Sequence, residues 1–80
     1  MKMPTNTAEF REIARVAREQ MRWDLAAACY QRAIDLYPES LRSGDLYRDD
    51  LKFLVSKRDS SLREAREPLH VCLMRFGFAA

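Results

Sequence analysis

Residues 24–37, DLAAACYQRAIDLY, spread apolar side chains over more of a helix surface than one partner helix can cover. At about 100° per residue, Ala26, Tyr30, Ala33 and Tyr37 fall in one row and Leu25, Cys29 and Leu36 in the next. Ala27 and Ile34 widen the arc to roughly 200°, well beyond the stripe of about 100° with which a surface helix faces a core. Such a helix must be packed from two sides, so the chain has to supply an element on each. Pro38 ends it, because proline has no N–H to donate and pushes the preceding residue out of the helical region.

The chain has 80 residues to do this with, near the lower limit for a self-sufficient core. Only two Gly and three Pro are present, and Ala, Leu, Arg, Glu and Asp outnumber the β-branched residues, which points to an all-α fold. The expected architecture is a small bundle of three to four helices. Residues 1–6, MKMPTN, read as a flexible N-terminal arm and residues 7–80 as a single helical domain. Thr7 is the expected N-cap of a first helix over AEFREIARVAREQM, on which Phe10, Ile13, Ala14, Ala17 and Met21 share one arc. ESLRSG, residues 39–44, is a connection. Asp45 is then the expected N-cap of LYRDDLKFLVSKR. Leu46 or Tyr47, Leu51, Leu54 and Val55 make its inward face, with Phe53 off that face. This helix ends near Arg58 or continues through SSLREARE, residues 60–67; Ser61 and Glu64 have capping-box spacing, which hints at a break. Pro68 opens a short helix, PLHVCLMRF, with Gly77 past its end and Phe78 folding back as a hydrophobic cap. Leu69, Val71, Cys72, Leu73, Met74, Phe76 and Phe78 make this the most apolar segment. It either completes the core or stays exposed and needs a partner, for which a homo-oligomer through this segment is the natural solution.

Motifs for chemistry are absent. There is no Gly-rich phosphate loop and no nucleophile motif, and the single histidine, His70, has no ligand at metal-binding spacing. Asp49 and Asp50 are neighbours on a helix and point about 100° apart, which does not make an acid–base pair. Cys29 and Cys72 sit in apolar segments at a spacing that matches no metal motif, so buried free thiols are expected. Neither an enzyme nor a cofactor nor a metal is expected. No apolar run approaches the ~18 residues needed to span a bilayer, and a reducing cytoplasm fits the cysteines. The formal charge of +2 is small for a nucleic-acid-binding domain.

Residues 7–40 resemble a single tetratricopeptide-repeat hairpin. Phe10 stands at the Trp position, Ile13 at the Leu, Ala14 at the small residue and Ala17 at the aromatic. Ala26, Tyr30, Ala33 and Pro38 match the small, aromatic, small and Pro positions of the second half. Ala17 and Met21 depart from the pattern, Met21 replacing the inter-helix Gly. A shift of one repeat length finds no second copy: Gly44, Ser60 and Glu64 fall where the aromatic, small and aromatic positions would be. The resemblance implies one hairpin closed by a non-repeat third helix, not a solenoid. A second resemblance, over Ala14, Ala17, Glu19, Trp23, Ala26, Ala27, Tyr30 and Ala33, is to the small ANR and PerC regulators of enterobacteria, phages and plasmids. Their downstream Trp–Arg–Cys region has no counterpart here. That resemblance implies control of transcription through another regulator. Three-helix MIT-type domains share the same helical logic.

The expected function is therefore a non-enzymatic protein–protein interaction module, a small regulatory or inhibitory protein with a protein partner. Candidate partner-binding residues are the register of Arg11, Arg15, Arg18 and Arg22 beside the first apolar arc, and the aromatic and apolar anchors Trp23, Tyr30, Tyr37, Met74, Phe76 and Phe78. Arg15 is at pairing distance along the helix from Glu12 and Glu19. The alternative is a nucleic-acid-binding regulator in which the same arginines, extended by Lys57 and Arg58, contact phosphates.

Overall fold

The computed structural model describes residues 6–78, with no strand among them. Its α-helices are α1 (Thr7–Glu19), α2 (Trp23–Asp35), α3 (Gly44–Ala65) and α4 (Leu69–Arg75), with a short 3₁₀ turn over Glu39–Leu41. The all-α bundle expected from the pattern is what forms. The N-terminal arm lies outside the described residues apart from Asn6.

The width of the α2 arc decides the architecture. Ala26, Ala27, Ala28, Cys29 and Tyr30 are five successive buried residues, so every face of this helix is enclosed at its middle. α1, α3 and α4 all pack against it. Alanine at 26, 27, 28 and 33 allows that, because small side chains let several helices approach one axis. α1 and α2 run antiparallel: a tight turn joins them at one end, and at the other the Thr7 hydroxyl donates to the Ala33 carbonyl at 2.9 Å. α3 runs antiparallel to α2, since Tyr37 meets Asp50 at 2.8 Å and Arg58 meets Gln31 at 2.8 Å. Phe10, Ala14, Ala17, Cys29, Tyr30, Ala33 and Leu54 form the shared core.

The helix ends differ from expectation in instructive ways. Asn6, not Thr7, caps α1: its side-chain oxygen accepts from Glu9 N–H at 2.9 Å, which frees Thr7 for its bond to α2. α1 stops at Glu19 in a Schellman motif, with Arg22 N–H donating to Ala17 and Met21 N–H to Arg18. Met21 is the left-handed residue of that motif, at φ 58°, so it turns out of the apolar arc and is 75% exposed. α2 ends at Asp35, and Arg42 folds back to donate to the Tyr37 and Asp35 carbonyls at 3.0 and 3.1 Å. Ser43 stands at the N-cap of α3, and Asp45 lies in its first turn facing solvent. Tyr47, rather than the 80% exposed Leu46, turns inward and meets Tyr37.

Of the two endings open for α3, continuation through residues 60–65 is the one that forms, with no break at Ser61. The residue is fully buried mid-helix, and its hydroxyl donates to the Lys57 carbonyl one turn back. α3 ends instead at Ala65, with Arg66 in the left-handed region at φ 57° and its N–H on the Leu62 carbonyl. Pro68 sits just before α4 rather than inside it. α4 closes with a second Schellman motif, Phe78 N–H on Leu73 and Gly77 N–H on Met74, Gly77 taking φ 71°. Phe78 does fold back, and its ring meets Phe10 edge to face at 5.5 Å. With Cys72 wholly buried, the C-terminal segment completes the core. No helix of the described residues is long and apolar enough to cross a membrane.

Candidate partner-binding site on the first helix

The α1 wheel places Phe10, Ala14 and Ala17 in the core, which leaves two flanks. Arg11, Arg15 and Arg18 follow one flank, and Ile13, Val16 and Gln20 the other. The arginine flank faces α3, and its members meet different fates there.

Arg15 is held by two carboxylates of its own helix. It makes a two-point contact with Glu12 at 2.5 and 3.1 Å and a bond to Glu19 at 2.6 Å. The Arg15 hydrogen bonds lower the Glu12 pKa, and Glu12 in turn raises that of Arg15. Arg18 is a strut between helices. Its Nη1 donates to Ser61 Oγ at 2.9 Å, and its guanidinium lies 5.4 Å from the centre of the Trp23 ring. Arg22 is the exposed corner residue before α2.

Arg11 is different. Its guanidinium lies 4.7 Å over the Phe53 ring, and Lys57 Nζ lies 5.6 Å from the same ring. Both are within cation–π range, and neither has a carboxylate at ion-pair distance among the described residues. Phe53 is 41% exposed, which follows from its position off the inward face of α3. Beside this cluster a cavity of about 190 Å³ opens between α1 and α3, lined by Ala8, Arg11, Glu12, Arg15, Tyr30 and Phe53. Two cations, an aromatic wall and a small hollow are thus gathered at one place.

The aromatic candidates are mostly structural. Tyr30 is 2% exposed and contributes only the inner wall of that cavity; burial raises its pKa. Tyr37 donates to Asp50 at 2.8 Å and packs on Tyr47, and the bond to Asp50 raises its pKa. Trp23 is half-buried under Arg18, and Phe76 and Phe78 lean on one another at 6.3 Å. Met74 is 67% exposed on α4. Of this set, Trp23 meets the arginine stripe at Arg18 and Tyr30 backs the cavity beside Arg11 and Arg15.

Sequence reasoning did not single out Phe53 as part of a site, although Lys57 four residues on places a cation over it by helix geometry. The groove of the α1–α2 hairpin, the other place where a partner is expected to dock, lies on the opposite flank of α1. A groove of about 540 Å³ runs there, lined by Glu12, Ile13, Val16, Ala17, Gln20, Arg22 and Leu25. Its signal was Val16, an apolar residue outside the core arc.

Both cysteines are free and buried. Burial pushes the Cys29 thiol up to about 11 and raises that of Cys72, so neither is a thiolate near neutral pH. No group of three His, Cys, Asp or Glu side chains placed to hold a metal ion occurs among the described residues. No family model, curated protein or solved structure matches the chain.

Proposed function

We propose that the chain is a non-enzymatic protein-binding module, a small regulatory or inhibitory protein whose partner inserts an acidic segment between α1 and α3. The observation that carries this reading is the Arg11–Phe53–Lys57 cluster at the mouth of the small cavity. Two cations that share an aromatic ring and lack carboxylates are complementary to an incoming Asp or Glu. The cavity, about 190 Å³, is below the range of about 300–1,000 Å³ typical of small-molecule sites, and it suits one apolar side chain next to that carboxylate. The tetratricopeptide-like pattern of residues 7–40 supports peptide recognition. The likeness to ANR and PerC regulators supports a transcriptional regulator as the partner.

Phosphate would suit the same two cations, but a nucleic-acid surface needs a longer run of available charge. Arg15 is neutralised by Glu12 and Glu19, and Arg18 is engaged with Ser61 and Trp23. The acidic-peptide reading is favoured for that reason.

The test is selection of random twelve-residue peptides on the full chain, followed by fluorescence anisotropy of the winners beside a short DNA duplex. Peptides enriched in Asp and Glu are expected, with at least tenfold loss when these become Asn and Gln. A similar loss is expected in Arg11→Glu plus Lys57→Glu. A pool without acidic enrichment, or tighter binding to the duplex with a steep salt slope, overturns the reading.

A further inference from the structure

Met21 is costly on two independent counts. It holds φ 58° in a position where glycine is the usual residue, and it leaves a large apolar side chain 75% exposed. Neither the α1–α2 turn nor the core needs a methionine there, since the Schellman bonds are made by backbone atoms alone. Met21 stands in the chain between Gln20 and Arg22, both of which line the groove of Ile13, Val16, Ala17 and Leu25. An exposed apolar knob thus adjoins, along the chain, two residues that line an apolar hollow.

We propose that this surface is a self-complementary interface, in which two copies of the chain pair about a two-fold axis and each seats Met21 in the other's groove. A two-fold interface uses the same patch on both copies, so knob and hollow must be neighbours, and Met21 lies between two residues of the groove lining. Methionine suits the role because its unbranched, polarizable side chain fills irregular apolar space. Charge agrees with the geometry. Glu12 lines the groove and Arg22 lines it at the Met21 corner, about ten residues further along. Pairing α1 antiparallel to its copy, centred near Val16 and Ala17, sets each Glu12 opposite the other copy's Arg22. Arg22 has no carboxylate at ion-pair distance within its own chain among the described residues, whereas Glu12 shares its charge with Arg15. The Arg11–Lys57 cluster lies on the other flank of α1, with only Glu12 lining both hollows, so the inference does not depend on the acidic-peptide reading.

Sedimentation equilibrium of the full chain over a hundredfold concentration range tests the pairing. A reversible monomer–dimer equilibrium is expected, weakened at least tenfold by Met21→Gly. That variant also removes the backbone strain, so its monomer should melt higher than the wild type, and loss of pairing cannot be blamed on misfolding. Arg22→Glu should weaken the dimer, and Glu12→Lys combined with Arg22→Glu should restore part of it. In a mixed sample of ¹³C-methyl-methionine-labelled and unlabelled chains, intermolecular contacts are expected from the Met21 methyl to Val16 and Leu25. A chain that stays monomeric throughout overturns the proposal. A dimer indifferent to Met21→Gly, or one lost only with Met74→Asp on α4, overturns it equally.

Discussion

Two residues of the bundle show how a single side chain can be locally unfavourable or locally indispensable. Met21 takes the left-handed position that ends α1, where a Cβ crowds the backbone. Replacing it by glycine is expected to stabilise the monomer by about 1 kcal/mol, despite the added freedom of the unfolded chain. Urea unfolding at low micromolar concentration measures this. Ser61 is the opposite case. A fully buried hydroxyl in the middle of α3 is tolerated because it donates to Lys57 and accepts from Arg18. Ser61→Ala removes the acceptor that holds Arg18 in place and is expected to cost about 1 kcal/mol. Because Arg18 stacks on Trp23, the same variant should shift the tryptophan fluorescence of the folded state, while Ser60→Ala should not. Register alone made Arg11, Arg15, Arg18 and Arg22 look equivalent. Only the pairing of Arg15 with Glu12 and Glu19 was legible locally, because those partners are three and four residues away. The contacts of Arg11 and Arg18 with Phe53 and Ser61 span more than 40 residues, and no periodicity reports them.

At the level of elements, α2 and α4 are held by different physics. α2 is enclosed through small side chains, so enlargement is what it resists. Ala27, wholly buried, leaves no room for three more heavy atoms, and Ala27→Leu is expected to cost about 1–3 kcal/mol by thermal denaturation. α4 is docked by Cys72 and Phe78 on the apolar side and by one polar clamp. Arg75 donates to Asp24 on α2 at 2.8 Å and to Glu67 at 2.5 and 2.8 Å. Burial pushes the Asp24 carboxyl up, but the bonds from Arg75 and from Leu25 N–H outweigh it and hold it below its ordinary 3.8. The Arg75 hydrogen bonds likewise hold Glu67 below its ordinary 4.5. Both folded values are depressed, so the clamp's contribution is fully present above about pH 4.5 and is lost as pH falls through the folded values. Acid titration followed at Phe78 by NMR should therefore show α4 loosening below that pH. In Arg75→Met, α4 docking should be weaker at neutral pH and lose most of this acid dependence.

For the molecule as a whole, the small size makes the C-terminal segment essential. A chain of 80 residues has a narrow stability margin, on the order of 5 kcal/mol. Fully burying a large apolar side chain contributes about 1.5–3 kcal/mol, and partly buried Phe78 supplies a share of that. Truncation before Pro68 is expected to abolish cooperative unfolding, which circular dichroism melting would show; a truncated chain that still melts cooperatively contradicts the core role of α4. The four helices, the enclosure of α2 and the fold-back of Phe78 could all be read from periodicity, Pro38, Pro68 and Gly77. These are local signals: they set the angle of each side chain about its own helix axis. What that angle meets is a different matter. Tertiary packing decided that Arg18 would meet Ser61, that Arg11 would join Lys57 on Phe53 and that Tyr30 would sink into the core. Each of these depends on which neighbouring helix arrives at a given face and in which direction it runs, and a helical period carries no record of either.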